Sequence, residues 1–244
     1  MQAQPKLCAV VPTYNERENV ERLVEEVRRV AVPGLTLLFV DDASPDGTSE
    51  LIRGIASHDH SVKLLERNAK TGIGSAYQDG FREALSSIAP DIIIEMDADL
   101  QHPPSAIGEL VRAVQAGADV AVGSRYVADG GVLGCSLWRR TVSKGANAYA
   151  RTMLRIKVRD ATSGFRAYTR AKAEQVADSA LPARGFEFQV ASLYLLRKGS
   201  RFTEVPYTFV ARTAGRSKMG LPDMVRFFFS VIRIALSRTK VSVT

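Results

Sequence analysis

Short apolar runs alternate with longer amphipathic stretches through the first half of the chain. Runs at 7–11, 35–40, 62–65, 92–96 and 119–123 have the length and the Val, Ile and Leu content of strands buried on both faces. Between the first two, Val20, Leu23, Val24 and Val27 fall at i, i+3, i+4 and i+7, the stripe of a core-facing helix reaching about residue 30, where Pro33-Gly34 breaks the pattern. Further helices are expected over 49–56, from the small-residue loop 68–76 to about residue 88, and over 105–115. The alternation predicts an α/β fold, a mostly parallel sheet with right-handed crossovers and helices on both faces.

After Arg125 the pattern changes. Asp129-Gly130-Gly131 reads as a flexible loop, and 137–154 as a long helix carrying Arg139, Arg140, Lys144 and Arg151. Ser163-Gly164-Phe165-Arg166 is a turn into a short strand, and Gly185-Phe186-Glu187-Phe188 opens a helix reaching Arg197. Residues 205–210 alternate as an edge strand would, where Pro206 is tolerable. A basic loop with Arg212, Arg216 and Lys218 follows. The stretch 224–236 contains Phe227-Phe228-Phe229 interrupted by Arg226 and Arg233, too short to span a bilayer. It predicts a C-terminal amphipathic helix, either packed on the sheet or lying in a membrane interface. No linker or repeat intervenes, so residues 1–244 read as one domain. Its first half (1–125) is of nucleotide-binding type, and its second (126–244) is basic.

Composition narrows the classes. With 244 residues and 45% hydrophobic positions, the chain can bury a substantial core. Two cysteines without a CxxC pair indicate neither a disulfide framework nor a zinc site, and point to a reduced, cytosolic setting. The polar first six residues, followed by a strand-length run, do not form a signal peptide. A net charge of +7 suits anionic lipid or phosphate-bearing substrates. Nucleic acid is disfavoured, because no stacking platform or basic repeat is present.

The candidate chemistry sits where strands end. The run at 92–96 leads into Asp97-Ala98-Asp99, and in an extended segment residues i and i+2 share a face. Open α/β sheets bind ligands beyond the carboxyl ends of their strands. Glu16, the pair Asp41-Asp42, and Asp97 with Asp99 follow three such strands, so they should converge on one acidic crevice. Gathered carboxylates repel unless a cation intervenes, and hard oxygen donors suit Mg²⁺ or Mn²⁺. Gly72-x-Gly74 is not a dinucleotide fingerprint, since the third glycine is missing and the loop follows the third strand. Its expected role is to bring backbone N–H groups near an anion.

Six segments then stand in a family's order along nearly the whole chain: 11–19 (Val-Pro-Thr-Tyr-Asn-Glu-Arg-Glu-Asn), 40–48 (Val-Asp-Asp-Ala-Ser-Pro-Asp-Gly-Thr), 96–104, Gly123-Ser124-Arg125-Tyr126, Ser163-Gly164-Phe165-Arg166, and 205–218. Together they resemble the dolichyl-phosphate (polyprenyl-phosphate) mannose synthases, inverting family 2 glycosyltransferases with a GT-A, Rossmann-like fold. The resemblance implies transfer of mannose from GDP-mannose to dolichyl or another polyprenyl phosphate, with Mg²⁺ or Mn²⁺ and release of GDP. It implies that Pro12, Tyr14 and Glu16 line the nucleotide pocket and that Val40 and Asp42 meet base and ribose. Asp97, Ala98 and Asp99 would flank ribose and pyrophosphate, and Asp99 with Gln101 would hold the metal. Arg212 and Lys218 would close over the diphosphate, with Arg212 and Asp99 as the catalytic pair. Arg125, Arg139 and Ser143 match the acceptor-phosphate site, and Arg125 also falls on the nucleotide-sugar side. Adjacent helical residues point about 100° apart, so only one of Arg139 and Arg140 should face the crevice.

Some family members add C-terminal transmembrane helices. This chain shows none, and looks like a shorter form attached by a surface helix or by small membrane-spanning subunits. The implied location is the cytosolic face of a membrane, the endoplasmic reticulum in a eukaryote. A lipid monophosphate already carries roughly 1.5 to 2 negative charges near neutrality, so no essential catalytic base is expected. Of the three histidines only His102 lies near the crevice, as a helix-start residue or in a role there. Two other readings remain open: a polyprenyl-phosphate glucosyltransferase using UDP-glucose, and a non-catalytic nucleotide-sugar-binding subunit.

Overall fold

The computed structural model describes residues 4–181, 185–211 and 221–237, with only the backbone for 221–224. Five strands appear where the apolar runs predict them: β1 (Leu7–Thr13), β2 (Leu35–Asp41), β3 (Val62–Glu66), β4 (Ile92–Glu95) and β5 (Val120–Ser124). The helices between them are α1 (Arg17–Val30), α2 (Thr48–Ala56), α3 (Ile73–Glu83) and α4 (Ile107–Gln115). The last turn after α3 widens to a π-helical segment, Ala84–Ile88, and α4 starts through a 3₁₀ turn at Pro104–Ala106. Side chains alternate across β1 as the period-2 rule requires. Leu7, Ala9 and Val11 join the cluster under α1, α2 and α4, while Cys8 and Val10 join the cluster under α3. Gly80 lets α3 lie close against the sheet, since a Cβ there would stand 2.4 Å from Val10 Cγ1 and 2.8 Å from Val40 Cγ2.

The second half adds β6 (Gly131–Leu133), α5 (Leu137–Leu154), β7 (Arg166–Thr169), α6 (Arg170–Ala177), α7 (Phe188–Leu196), β8 (Phe202–Pro206), β9 (Thr208–Val210) and α8 (Leu221–Leu236). The main sheet runs β3-β2-β1-β4-β7-β5-β8, and β7 lies antiparallel to both β4 and β5. Three features differ from the expectation. The loop at 129–131 leads into β6, which pairs in parallel with β9. The single edge strand expected over 205–210 is two strands. β8 starts at Phe202 and edges the main sheet, and the chain then turns at the buried Tyr207 so that β9 can pair with β6. Pro206 ends the edge strand, where a missing N–H is harmless. Helix α6 has no counterpart in the sequence reading, because its buried face is made of Ala173, Val176 and Ala177, too small to give a clear stripe. Cys8 and Cys135 are both unbonded, and Cys8 is a core side chain whose burial raises its thiol to about 12.

Candidate active site

The three strand ends singled out by the sequence lie side by side, since β2, β1 and β4 are neighbours and parallel. Each is followed by a loop holding one non-glycine residue in the left-handed region: Asn15 (φ 56°), Ala43 (φ 55°) and Leu100 (φ 62°). For alanine and leucine this conformation is unfavourable and persists only where surrounding bonds enforce it. In the first two loops those bonds are present. Asp42 N–H donates to the Thr13 carbonyl at 3.0 Å, Asn15 N–H to Ser44 Oγ at 3.0 Å, and Glu16 N–H to Thr48 Oγ1 at 3.2 Å.

The adjacent aspartates after β2 part company. Asp41 is buried and accepts from Thr13 Oγ1, Ser44 N–H, Ser44 Oγ and Ser49 Oγ at 2.6–2.9 Å, which makes it the knot of the turn. Asp42 pairs instead with Arg67, from just beyond β3. Burial pushes its carboxyl above the usual range, and the guanidinium pulls the other way. Arg67 also reaches Asp79 at 3.1 Å and Ser75 Oγ at 2.8 Å, and bonds Thr71. Part of the charge gathered at this rim is therefore balanced by an arginine, where the sequence argument assigned that task to a metal ion. Arg67 was missed because nothing in the letters ties it to a residue 25 positions earlier. Lys70, in the same loop, stands 3.7 Å over the Tyr14 ring, and Glu16 is buried, accepting from Asn19 Nδ2 at 2.6 Å.

After β4 the strand stops at Glu95, and Ala98 and Asp99 sit in a turn. The i, i+2 alternation thus does not set their directions. Other bonds do: Asp97 accepts from Tyr77 OH at 3.1 Å, and Asp99 Oδ1 accepts the Gln101 N–H at 3.0 Å. Asp97, Asp99 and Gln101 are half-buried, whereas Ala98 faces the core. His102 is only 4% exposed, and its Nδ1 accepts the Asp97 N–H at 3.0 Å. That bond leaves Nδ1 without a proton, so its 3.7 Å approach to the Asp97 carboxylate is not an ion pair. The ring stacks on Phe165 at 5.0 Å and meets Tyr207 edge-on. His102 is thus a buttress of the turn, two residues before the 3₁₀ turn that leads into α4.

Behind this turn, Glu95 is wholly buried, accepts from Tyr168 OH at 2.9 Å, and is raised by burial to about 7. Arg166, its cross-strand neighbour, bonds Ser192 Oγ and the carbonyls of Ala161 and Gln189. Among the described residues no three His, Cys, Asp or Glu side chains gather closely enough to hold an ion on their own. What is present is a pair of half-buried carboxylates on a bonded turn. This donor set fits a hard cation that takes one or two carboxylates and completes its shell with water and phosphate oxygens.

Pro12 and Tyr14 are half-exposed on the rim. Val40 has its side chain in the core, so only its backbone is available to a ligand. On the other flank, Arg125 at the end of β5 is 13% exposed and forms a bidentate pair with the buried Asp160, Nε and Nη2 each at 2.7 Å. Ser143 and Arg139 lie one turn apart on α5, whose cap Ser136 accepts the Arg139 N–H at 3.4 Å. Ser143 Oγ is 3.0 Å from Tyr126 OH. Arg139 and Arg140 are both exposed, so burial does not separate them. Arg212 and Lys218 lie outside the described residues.

A model of the glycosyl transferase family 2 matches residues 8–177. The chain is 41% identical to a polyprenol monophosphomannose synthase of Mycolicibacterium smegmatis over 93% of its own length and 85% of the relative's. It is 39% identical to an undecaprenyl-phosphate mannosyltransferase of Micrococcus luteus, covering 88% and 87%. A dolichol-phosphate mannosyltransferase of Pyrococcus furiosus is 38% identical over 94% of this chain, which spans 63% of that longer protein. In fold, the chain superposes on glucosyl-3-phosphoglycerate synthase of Mycobacterium tuberculosis, solved with Mn²⁺, UDP and phosphoglyceric acid. That match has a TM-score of 0.69 and 22% identity, and covers 97% of this chain and 79% of the other. A mannosyltransferase from Pyrobaculum calidifontis, solved with GDP-Man and Mn²⁺, superposes with a TM-score of 0.60 and 16% identity, covering 97% and 71%. The chain belongs to glycosyl transferase family 2, and its relatives of about 40% identity there are polyprenyl-phosphate mannosyltransferases.

Proposed function

We propose that this chain transfers mannose from GDP-mannose to the phosphate of a polyprenol such as dolichol, with inversion and release of GDP. The observation that carries the reading is the meeting of three parallel strand ends, bearing Glu16, Asp42, Asp97 and Asp99, in a chain about 40% identical to polyprenyl-phosphate mannosyltransferases. Residues 1–125 form the nucleotide-sugar half and 126–244 the acceptor half of one domain. Pro12, Tyr14, Glu16 and Asp42 line the nucleotide pocket together with the Val40 backbone. Asp97 and Asp99 flank the pyrophosphate, and Arg212 and Lys218 complete that side.

A divalent ion, Mg²⁺ or Mn²⁺, supplies charge neutralisation on the departing diphosphate when bound, and Asp99 with Gln101 would hold it. Arg212 stabilises the same developing charge. Arg125, Arg139 and Ser143 receive the acceptor phosphate and hold one of its oxygens toward the sugar. That oxygen is already anionic, so no side chain has to remove a proton. The new bond forms to the anomeric carbon as its bond to the diphosphate oxygen breaks, and the electron pair leaves with GDP.

The acceptor implies a lipid surface, and the distribution of apolar side chains supports one. All eleven large hydrophobic side chains that stand exposed among the described residues lie at or after Leu133. They include Leu137 and Trp138 beside Arg139 and Arg140 on α5, and Phe228 and Phe229 on α8. No helix among the described residues is long and apolar enough to cross a membrane. The chain would therefore sit peripherally on the cytosolic face, by these surfaces or through a small membrane subunit. Trp138 is the chain's one tryptophan and is 74% exposed, so its emission reports directly. Anionic vesicles should shift it to the blue, and unchanged emission at saturating lipid would remove the surface from the proposal. The activity test is incubation with labelled GDP-mannose, Mg²⁺ or Mn²⁺, and dolichyl phosphate. Label should enter the lipid phase, and label arriving only from UDP-glucose would overturn the donor assignment.

A further inference from the structure

Asp160 sits where three segments cross. It is wholly buried, and its carboxylate accepts the Arg125 N–H at 2.9 Å, Arg125 Nε and Nη2 at 2.7 Å each, and Asn147 Nδ2 at 3.1 Å. Asn147 is buried on α5. It also donates to Thr162 Oγ1 at 3.3 Å, while its Oδ1 accepts the Ala161 N–H at 2.9 Å. One residue beyond Arg125, the Tyr126 hydroxyl meets Ser143 Oγ at 3.0 Å. Arg139, Ser143 and Asn147 are spaced i, i+4, i+8, along one side of α5. Asn147 is buried, Ser143 half-buried and Arg139 exposed, so this side runs from the core out to the helix's free end. The segment 125–126 is thus joined to α5 at two successive turns, directly at Ser143 and through Asp160 at Asn147, and Nη1 of Arg125 is left outside the pair with Asp160.

A buried Arg–Asp pair contributes little net stability against a well-packed apolar replacement. Its use here is better accounted for by what it specifies: bidentate pairing fixes the plane of the guanidinium as well as its position. We infer that Asp160, Asn147 and Tyr126 are positioning residues, which lock Arg125, Ser143 and the outer half of α5 into one preformed cradle for the acceptor phosphate. The inference rests on the acceptor-site reading given above. It also separates Asp160 from proton transfer. Its oxygens are taken up by Arg125 and Asn147, it has no exposed surface, and the acceptor needs no base.

The test compares wild type with Asn147→Ala and Tyr126→Phe in the full chain, measuring KM for polyprenyl phosphate, KM for GDP-mannose and the Kd of GDP. Losing a buried or half-buried hydrogen bond that orients the cradle should raise the acceptor KM about tenfold for Asn147→Ala and about threefold for Tyr126→Phe. The donor KM and GDP affinity should stay within about twofold. An unmoved acceptor KM in a folded variant overturns the inference, and so does an equal rise in both KM values. If Asn147→Ala does not fold, Tyr126→Phe decides by the same criterion, because removing one half-buried hydroxyl leaves the core intact. A wild-type chain that moves no mannose to polyprenyl phosphate removes the functional reading and this inference with it. An active wild type with unmoved variants removes the inference alone.

Discussion

The two flanks of the crevice carry opposite charge and differ in how much of their bonding is short-range. Residues 1–125 contain 12 Lys and Arg against 19 Asp and Glu, whereas residues 126–244 contain 21 against 7. On the acidic flank much of the bonding is local. Asp41 is tied by Ser44 and Ser49, Asp46 by Thr48, and Asp99 by Gln101. At the border with the basic half Arg125, the last residue of the first half, is fixed by a carboxylate 35 residues away, and Asp160 by an asparagine on another element. The acidic flank has its own buried long-range pair, Arg67 with Asp42, but the turn at Asp99 rests on the short-range bond to Gln101, whereas Asp160 is wholly buried in its pair. The difference fits the proposed roles, in which the donor side would release GDP after each turnover and the acceptor side would present a flexible lipid's phosphate at one angle.

Four measurements would break or sharpen that contrast, and the largest effect belongs to the acidic flank. Asp99→Ala should lower kcat at least about 100-fold, roughly 3 kcal/mol of transition-state stabilisation, with an unchanged circular dichroism spectrum. Retained turnover within about threefold would remove Asp99 from the metal site. Arg67→Met leaves Asp42 buried without its cation, so about 2 kcal/mol of stability should be lost and GDP binding should weaken. Thermal unfolding and calorimetry read both, and unchanged values would make the ion pair incidental. Arg139→Ala should raise the acceptor KM about tenfold, the loss of one charge-assisted bond, without moving the donor KM. Equal damage to both would return Arg139 to a structural role.

The smallest effect is in pH dependence. The Arg125 guanidinium and its hydrogen bonds hold the Asp160 carboxyl below its usual range, against the opposing effect of burial. The folded state then binds its proton less readily than the unfolded chain does. The stabilisation is complete above the unfolded carboxylate value, near 4, and fades as pH falls through the lower folded value. Urea unfolding from pH 7 down to about 3 should show a steeper loss for wild type than for Asp160→Asn. Parallel curves would mean that Asp160 contributes no acid-labile stability.

What could be read from the letters follows the same division. Strands β1 to β5 and helices α1 to α4 were legible because each carries its own period and its own stop signals. The rim at Glu16, Asp42 and Asp97–Asp99 followed from the alternation, since parallel neighbours place their ends together. Residues whose meaning depends on a distant partner were not legible. Arg67 lacks a local pattern, and His102 gains its place only when Phe165 and Tyr207 close around it. The paired aspartates after β4 were read as one face of a strand, but a turn and the Tyr77 hydroxyl set their directions. Splitting the 202–210 stretch into β8 and β9 required β6 as a partner, and Gly130-Gly131 concealed that strand.

The reversed strand β7 has a consequence for synthesis on the ribosome. It fills the space between β4 and β5, so the central sheet cannot close until residues 166–169 have been made. Until then the nascent chain carries β4, with its Ile-Ile-Ile run, as an unpaired apolar border, the kind of edge that recruits neighbouring chains. Truncating the polypeptide between 125 and 166, which removes β7, would make that transient border permanent. Engineers seeking to graft new acceptor halves onto this scaffold would have to carry β7 along with the donor half.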